Sequence, residues 1–267
     1  MKKYILLLFV FCCFISCKEQ KKSASEIDST SVDSPESEDA ALMETPIHVI
    51  PIEHATTVLE WGEITVYLDP VGGKEAFEGQ KDPDLILITD IHGDHFNLET
   101  LQELNTEKAK IMMPRAVAYL MPEEFTPQID VLDNGSSKTR YGIKVEAIPM
   151  YNLRAEAKKF HEKGRGNGYV LNMGTSRLYF SGDTEDIPEM RSLENIDKAF
   201  VCMNLPYTMT VEKAAEAVLE FQPKEVYPYH YRGRPEVSDV VKFKELIEGG
   251  TNEIQVVQLD WYPKDEF

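Results

Sequence analysis

Cysteine is scarce in this chain and lies mostly at the N-terminus. The 267 residues contain four cysteines, of which Cys12, Cys13 and Cys17 precede Cys202. A disulfide needs two cysteines, so none can form within the segment that follows residue 17. That segment must be held together by a hydrophobic core, and residues 46–267 are enough for one sizeable domain.

Long apolar runs are also missing, apart from a short one at the start. Residues 4–15 are mostly apolar and follow Lys2 and Lys3. This stretch is shorter than the roughly 20 apolar residues that cross a bilayer. A cationic start before a short apolar run is typical of a secretory signal and not of a permanent membrane helix.

The end of this run, Phe14-Ile15-Ser16-Cys17, resembles a bacterial lipobox, with Phe14 in place of the usual leucine. In such a motif the cysteine is acylated, for example with palmitate, and becomes the new N-terminus. We therefore expect residues 1–16 to be a lipoprotein signal peptide and Cys17 to be lipidated, with a plain secretory signal as the alternative. Acyl chains contribute about 0.8 kcal/mol for each buried CH₂. The protein would then be exported and anchored to a cell-envelope membrane, on its periplasmic or cell-surface side.

Basic residues are fewer than acidic residues in this chain. The chain has 28 Lys and Arg against 46 Asp and Glu, a net charge of −18. This balance argues against nucleic acid and anionic lipid head groups as partners. Residues 17–45 are rich in Ser, Glu, Asp and Lys, and they cannot bury enough apolar surface to offset their ordering entropy. We predict that they form a flexible acidic tether.

Apolar patterning predicts many strands with interspersed helices in residues 46–267. Strands are expected at residues 48–52, 64–68, 84–89, 144–148, 168–172, 177–181, 198–203 and 225–229, with a turn at 61–63. Helices are expected at residues 98–104, 116–120, 211–221 and 237–247, with Asn97 and Thr210 as N-caps and Gly249 and Gly250 after the last. This mixture indicates an α/β domain of stacked layers.

Four residues of metal-binding type follow the predicted strand at 84–89. They are Asp90, His92, Asp94 and His95. On an extended segment the first two point the same way, and a turn at Gly93 brings the other two toward the same space. Imidazole and carboxylate ligands suit zinc, and a carboxylate-rich site favours manganese or iron. We predict a metal site here, the alternative being a polar loop of capping and solvated side chains.

The segment Thr89-Asp90-Ile91-His92-Gly93-Asp94-His95 resembles the Thr-His-x-His-x-Asp-His signature of the metallo-β-lactamase superfamily, with Asp90 replacing the first histidine. Other family elements have counterparts in Glu53-His54-Ala55-Thr56-Thr57, Leu68-Asp69-Pro70, Ser181-Gly182-Asp183-Thr184 and Pro228-Tyr229-His230-Tyr231. The branch it most resembles contains ascorbate-6-phosphate lactonase and N-acylphosphatidylethanolamine phospholipase D type enzymes. The resemblance implies a four-layer αββα sandwich with metal at one edge of the sheets.

The resemblance also implies a ligand set for one or two divalent ions, with zinc expected first and manganese or iron as alternatives. Asp90 and His92 would bind the first metal, Asp94 and His95 the second, Asp183 would bridge both, and His230 would complete the second site. Asn152 stands where many relatives have a histidine. With Asp90, this change favours a harder ion or a single-metal enzyme.

Three further residues are assigned less directly. His161 is either a substitute for the missing imidazole, a substrate contact, or a loop histidine without a role. His54 and Asp69 are expected to support the ligands from behind and not to bind metal themselves.

These residues predict a hydrolase that uses metal-activated water on a small-molecule ester, lactone or phosphodiester. Asp94 would orient that water or accept its proton. Arg154, Arg165 and Arg232 favour an anionic substrate, with solvated surface charge as the alternative. A lipid-anchored binding protein that has kept the fold and lost turnover is the other class of function that the sequence leaves open.

Overall fold

The described part of the chain, residues 45–263 of the computed structural model, builds two β-sheets with helices on their outer faces. The predicted signal peptide, the lipidation site Cys17 and almost all of the predicted tether lie outside the described residues. Within residues 45–263, no helix has the length and apolar composition of a membrane span.

The first sheet has six strands that lie in chain order. They are β1 (Ile47–Glu53), β2 (Thr56–Trp61), β3 (Ile64–Leu68), β4 (Leu85–Leu87), β5 (Lys110–Met113) and β6 (Ile129–Val131). The first three strands form an antiparallel meander. The last three add in parallel, so the loops after β4 and β5 leave from the same edge as the loop after β3.

The second sheet has seven strands, again neighbours in chain order. They are β7 (Ser137–Arg140), β8 (Ile143–Met150), β9 (Gly166–Met173), β10 (Ser176–Phe180), β11 (Lys198–Cys202), β12 (Glu225–Tyr229) and β13 (Gln255–Val256). Strands β7 to β10 pair antiparallel. Strands β10 to β13 pair in parallel, which places the loops after β10, β11 and β12 at one edge.

Five α-helices belong to the described chain. They are α1 (Leu98–Glu103), α2 (Arg115–Ala118), α3 (Pro188–Arg191), α4 (Val211–Phe221) and α5 (Val240–Gly250), with 3₁₀ turns at Lys74–Phe77 and Glu123–Phe125. Polar side chains cap three of the helices: Asn97 accepts from the Thr100 amide, Thr210 from Lys213 and Asp239 from Lys242. These caps satisfy amide groups that the first turn of a helix leaves without partners.

Alternating side chains on the strands form two hydrophobic cores. Leu85 and Leu87 of β4 belong to the larger core, which also contains Leu171 of the second sheet. Ile86, between them, points to a smaller core with Leu101 of α1. The first sheet is thus buried on both faces, which explains the continuous apolar run of β4. The resulting helix, sheet, sheet, helix order confirms the predicted αββα sandwich.

Several elements differ from the predictions. Strand β2 is a separate strand, because the chain reverses at His54, whose φ is 57°. Helix α5 starts three residues later than expected, after the Asp239 cap, and continues through Gly249 and Gly250. Strands β5, β6, β7 and β13 were not predicted, since they have two to four residues and little apolar alternation.

Candidate metal centre

The candidate centre lies where loops from both sheets meet. The loop after β4 carries Asp94 and His95, the loop after β10 carries Asp183, and His230 directly follows β12. Sites in layered α/β folds commonly lie beyond the carboxyl ends of strands. His230 has a φ of 46°, a left-handed conformation that non-glycine residues rarely adopt and that is common at functional sites.

Three buried side chains converge at this point, and we call His95, Asp183 and His230 the core cluster. The Nε2 atoms of His95 and His230 lie 3.1 Å apart. Asp183 Oδ2 lies 3.4 Å from His95 Nε2, and its Oδ1 lies 3.2 Å from His230 Nε2. Asp94 Oδ2 lies 3.5 Å from His230 Nε2 at the open side of the cluster. The predicted residues of the second metal are therefore together.

The donor set of the core cluster fits a divalent metal. Asp183 Oδ1 is buried and accepts no hydrogen bond from any described residue, which is costly for an anionic oxygen unless a cation compensates it. Two imidazole nitrogens and carboxylate oxygens within reach of one point are ligands that zinc accepts. The cluster can thus hold one ion, with Asp94 as an additional oxygen donor.

Asp69 orients His95 from behind. Its Oδ2 lies 2.8 Å from His95 Nδ1, so that nitrogen donates to the carboxylate and Nε2 keeps its lone pair for a metal. Thr89 donates its amide to Asp69 Oδ1 at 2.7 Å and its hydroxyl to Oδ2 at 2.6 Å. Burial raises the pKa of Asp69 despite these donors. Asp69 has the supporting position that the sequence predicted.

Mutual charges set the protonation of the core cluster. Burial alone would raise the pKa of Asp183, but His230 and His95 outweigh it and hold the pKa well below its usual range. Burial alone would lower the pKa of His95, yet Asp183 and Asp94 raise it well above normal, so a metal that binds Nε2 replaces a proton there while Asp69 keeps the one on Nδ1. The carboxylates are therefore anionic near neutral pH, and the cluster attracts a cation.

His54 supports Asp94. Its Nε2 lies 3.3 Å from Asp94 Oδ2, and its Nδ1 lies 2.7 Å from the hydroxyl of Tyr262. Burial and the nearby His230 lower the pKa of His54 to about 4, so the ring is neutral near pH 7. Burial alone would raise the pKa of Asp94, but His95 and hydrogen bonds from His230 and His54 lower it below the usual range.

Asp90 and His92 belong to a second group beside the core cluster, which with Arg165 we call the Asp90 cluster. Asp90 is fully buried, and its Oδ2 lies 2.8 Å from His92 Nδ1. Arg165 reaches both oxygens of Asp90, Oδ1 from Nε at 3.0 Å and Oδ2 from Nη2 at 2.7 Å. Arg165 is thus at the centre, but it binds a carboxylate of the protein.

His161 also enters the centre. It is buried and its Nε2 lies 3.0 Å from Asp183 Oδ2, so a loop histidine without a role is the wrong reading. Asn152 lies behind the His161 ring, with its Nδ2 3.1 Å from His161 Nδ1. Asn152 therefore contacts His161 and not the other predicted ligands.

Arg154 pairs with residues outside both clusters, and its role in anion binding stays a prediction. Its Nε lies 2.6 Å from Oε1 of the buried Glu185, and its Nη2 donates to the Thr208 carbonyl. Of these two predicted anion-binding arginines, Arg154 therefore supports a loop and Arg165 lies at the centre.

A cavity of about 700 Å³ opens over both clusters. Its wall includes Asp94, His92, His161 and Asp183, together with Glu53, His54, Phe160, Tyr207, Arg232 and Arg234. Phe160 and Tyr207 pack edge to face with ring centroids 5.1 Å apart. Neither aromatic residue was predicted for the site, because they lie on loops that only the fold brings together and no local signal marks them.

Comparison with known proteins agrees with this geometry. The family model described as a β-lactamase superfamily domain matches residues 49–230. A UPF0173 metal-dependent hydrolase of Pyrococcus abyssi is 29% identical over 204 residues, which cover 73% of this chain and 89% of the relative. Among solved structures, a candidate metal-dependent hydrolase of Parabacteroides distasonis has a TM-score of 0.70 and 33% identity, covering 79% of this chain and 92% of that one.

A more distant structure extends the likeness in fold alone. Igni18, a metallo hydrolase of Ignicoccus hospitalis, has a TM-score of 0.66 at 21% identity, covering 80% of this chain and 94% of its own. The relatives named as hydrolases give no support to the non-catalytic binding protein that the sequence left open. The chain therefore belongs to the metallo-β-lactamase superfamily, and it groups there with the metal-dependent hydrolases.

Proposed function

We propose that this protein hydrolyses an ester, lactone or phosphodiester bond of a small anionic molecule, using water activated at the core cluster. The observation that carries the proposal is the convergence of His95, Asp183 and His230 beneath an open cavity. A divalent ion bound there supplies positive charge that lowers the pKa of a water and polarises a carbonyl or phosphoryl oxygen. Zinc is the first candidate, with manganese or iron as alternatives.

Asp94 is the carboxylate that we assign to the water. Its side chain is 44% exposed and faces the cavity, whereas that of Asp183 is only 4% exposed. The contacts with His54 and His230 fix the carboxylate and lower its pKa. A carboxylate with a low pKa accepts a hydrogen bond well but holds a proton poorly. We infer that Asp94 orients the attacking water.

The cavity wall favours an anionic substrate. Arg232 and Arg234 lie on this wall, and the Arg232 guanidinium lies 4.3 Å from the centroid of the Tyr262 ring. Stacking on an aromatic ring holds a guanidinium in a defined plane, from which it can bind carboxylate or phosphate. The cavity volume falls within the range of small-molecule sites. These features support a phosphorylated or carboxylated small molecule over a macromolecule.

We also propose that the protein is exported and lipid-anchored through Cys17. The support for this proposal is the sequence of residues 1–17, with its cationic start, short apolar run and lipobox-like junction. The acidic tether would then hold the hydrolase domain at a distance from the membrane.

Hydrolysis by an Asp94 variant tests the assignment. A panel of chromogenic esters, lactones and phosphodiesters, each with and without an anionic group, is offered to the zinc- or manganese-loaded protein. We expect Asp94→Asn to lower kcat by at least about 100-fold, the usual scale for a group that positions a proton in the reaction. The control is Glu107→Gln, an exposed acid on another surface, which should leave kcat unchanged.

Two outcomes would contradict the proposal. Full turnover by a metal-loaded Asp94→Asn protein would remove Asp94 from the reaction. Equal kcat/KM for neutral and anionic members of the panel would remove the anionic substrate and leave the hydrolase assignment in place.

A further inference from the structure

We propose that the guanidinium of Arg165 occupies the position of the first metal, so that the centre binds a single divalent ion at the core cluster. This inference rests on the metal centre of the proposed function. Asp90, the residue that replaces the first histidine of the family signature, gives both of its oxygens to Arg165. This forked carboxylate–guanidinium pair uses one lone pair on each oxygen and places a cation where a metal would approach them.

His92 is directed toward the same cation. Its Nδ1 lies 2.8 Å from Asp90 Oδ2 and therefore carries a proton that it donates. Its other nitrogen, Nε2, faces Arg165 Nη2 at 3.5 Å. The same Nη2 lies 2.5 Å from the Phe160 carbonyl, which anchors the arginine from a third side. The ligand atoms of Asp90, His92 and His161 lie within 4.8 Å of one another, and Arg165 contacts the first two of these side chains.

His161 has the wrong tautomer for a ligand of the first metal. The amide nitrogen of Asn152 lies 2.9 Å from the Ala157 carbonyl and 2.6 Å from the Tyr207 carbonyl. Two carbonyl acceptors require an NH₂ group at this position, so the amide cannot be turned round. The NH₂ has two hydrogens for these carbonyls and also faces His161 Nδ1 at 3.1 Å, where a ring N–H would point at another donor, so Nδ1 is the unprotonated nitrogen of the ring.

The proton of His161 is then on Nε2, where it is donated to Asp183 Oδ2 at 3.0 Å. A metal could bind this nitrogen only by replacing its proton, and Nδ1, which faces the Asn152 NH₂, has no acceptor that could hold the proton of the ring instead. His95 is the opposite case, because Asp69 holds the proton on its Nδ1 and leaves Nε2 available.

His230 also keeps a nitrogen for the metal. The amide facing its Nδ1 is Asn204, whose oxygen bonds to the Thr208 hydroxyl. A hydroxyl can donate or accept, so this amide can turn to present its oxygen to Nδ1. The hydrogen bonds thus permit a metal at the core cluster and oppose one at the Asp90 cluster.

Charge leads to the same conclusion. Asp90 is fully buried and Arg165 neutralises it, so a second divalent ion would have to displace the partly buried guanidinium from both carboxylate oxygens or lie beside it. Removing one partner of a buried pair leaves the other uncompensated, and two cations in contact repel.

Metal stoichiometry tests this inference without reference to turnover. The purified protein is stripped with a chelator, reloaded with excess zinc, desalted, and analysed by inductively coupled plasma mass spectrometry. We expect one equivalent for the natural chain. The double variant Asp90→His/Arg165→Met, which removes the guanidinium and restores an imidazole, is expected to bind a second equivalent. Arg115→Met, at an exposed ion pair with Asp133, is the matched control and should remain at one.

The outcomes are separable from those of the proposed function. Two equivalents in the natural chain would overturn the role of Arg165 and leave the hydrolase proposal intact, whereas no bound metal would overturn both. A folded double variant that stays at one equivalent would also contradict the inference. If that variant does not fold, anomalous scattering from zinc-loaded crystals of the natural chain decides. One peak among His95, Asp183 and His230 supports the inference, and a second peak beside Asp90 refutes it.

Discussion

Asp69 determines the orientation of His95, a proposed metal ligand, by a hydrogen bond to the nitrogen that faces away from the core cluster. It is buried, has a φ of 45°, and connects His95 to the backbone of Thr89. Its own carbonyl accepts from the Thr56 hydroxyl, so strand β2 also contributes to its position. The tautomer of His95, and therefore the lone pair offered to the metal, depends on this carboxylate.

We expect Asp69→Asn to weaken zinc binding by about 10–100-fold, the usual effect of losing a carboxylate behind a histidine ligand. An amide can still accept from His95 Nδ1, but it lacks the charge that makes the imidazole a stronger ligand. Competition with a chromophoric chelator measures the change. Asp133→Asn, at an exposed ion pair, is the control. Unchanged affinity in a folded Asp69→Asn protein would exclude this role.

Some residues of the centre could be predicted from sequence and others could not. The ligands Asp94 and His95 stand in one short segment at the end of a strand, so the spacing alone indicates them. The pair of Asp90 with Arg165 joins positions 75 residues apart. Nothing local specifies that partner, because it depends on how the loop before β9 packs over the loop after β4.

The two sheets are joined by charge as well as by their common core. Asp130 lies on β6 at the edge of the first sheet, and Lys138 and Arg140 lie on β7 at the edge of the second. Burial alone would raise the pKa of Asp130, but hydrogen bonds from the two basic residues lower it. The carboxylate is 7% exposed, while the side chains of Lys138 and Arg140 are 39% and 34% exposed.

We expect Asp130→Asn to lower the free energy of unfolding by about 1–2 kcal/mol at pH 7, because solvent screens the exposed partners. The folded-state pKa is depressed, so this stabilisation is present above the unfolded value of about 4 and is lost as pH falls through the folded value. Urea unfolding of the metal-free protein at pH 7 and in acid measures it. A difference between the two proteins that grows on acidification would contradict the assignment.

At the scale of elements, apolar patterning predicted the strands that are continuous apolar runs, such as β4 and β12. It also predicted helix α4, whose N-cap Thr210 is clear in the sequence. It failed at strands such as β7, whose four residues are polar and half-exposed. An edge strand of this kind is determined by its pairing with β8, which is a tertiary contact. Its position therefore could not be predicted from local sequence.

The whole molecule combines an acidic hydrolase domain with a predicted membrane anchor. If Cys17 is lipidated, cells supplied with labelled palmitate should yield labelled, membrane-associated protein, and Cys17→Ser should release an unlabelled form. Cys202 is buried, and Cys202→Ser is the matched control that should keep the label. Label retained by Cys17→Ser, or soluble natural protein, would exclude the anchor.

The centre also connects the two sheets, since His95 follows a strand of the first sheet and Asp183 and His230 follow strands of the second. A ligand that binds only the folded state stabilises it. Metal should therefore raise the melting temperature as well as permit hydrolysis.

The most direct test of metal-dependent hydrolysis at the core cluster is a metal titration of the chelator-stripped protein, followed by turnover of its best substrate. We predict negligible turnover without metal, and a rate that increases in proportion to bound zinc or manganese until the cluster is filled. His230→Ala should neither bind the metal tightly nor recover the rate. Turnover that persists in the stripped protein, or full recovery in His230→Ala, would contradict the account.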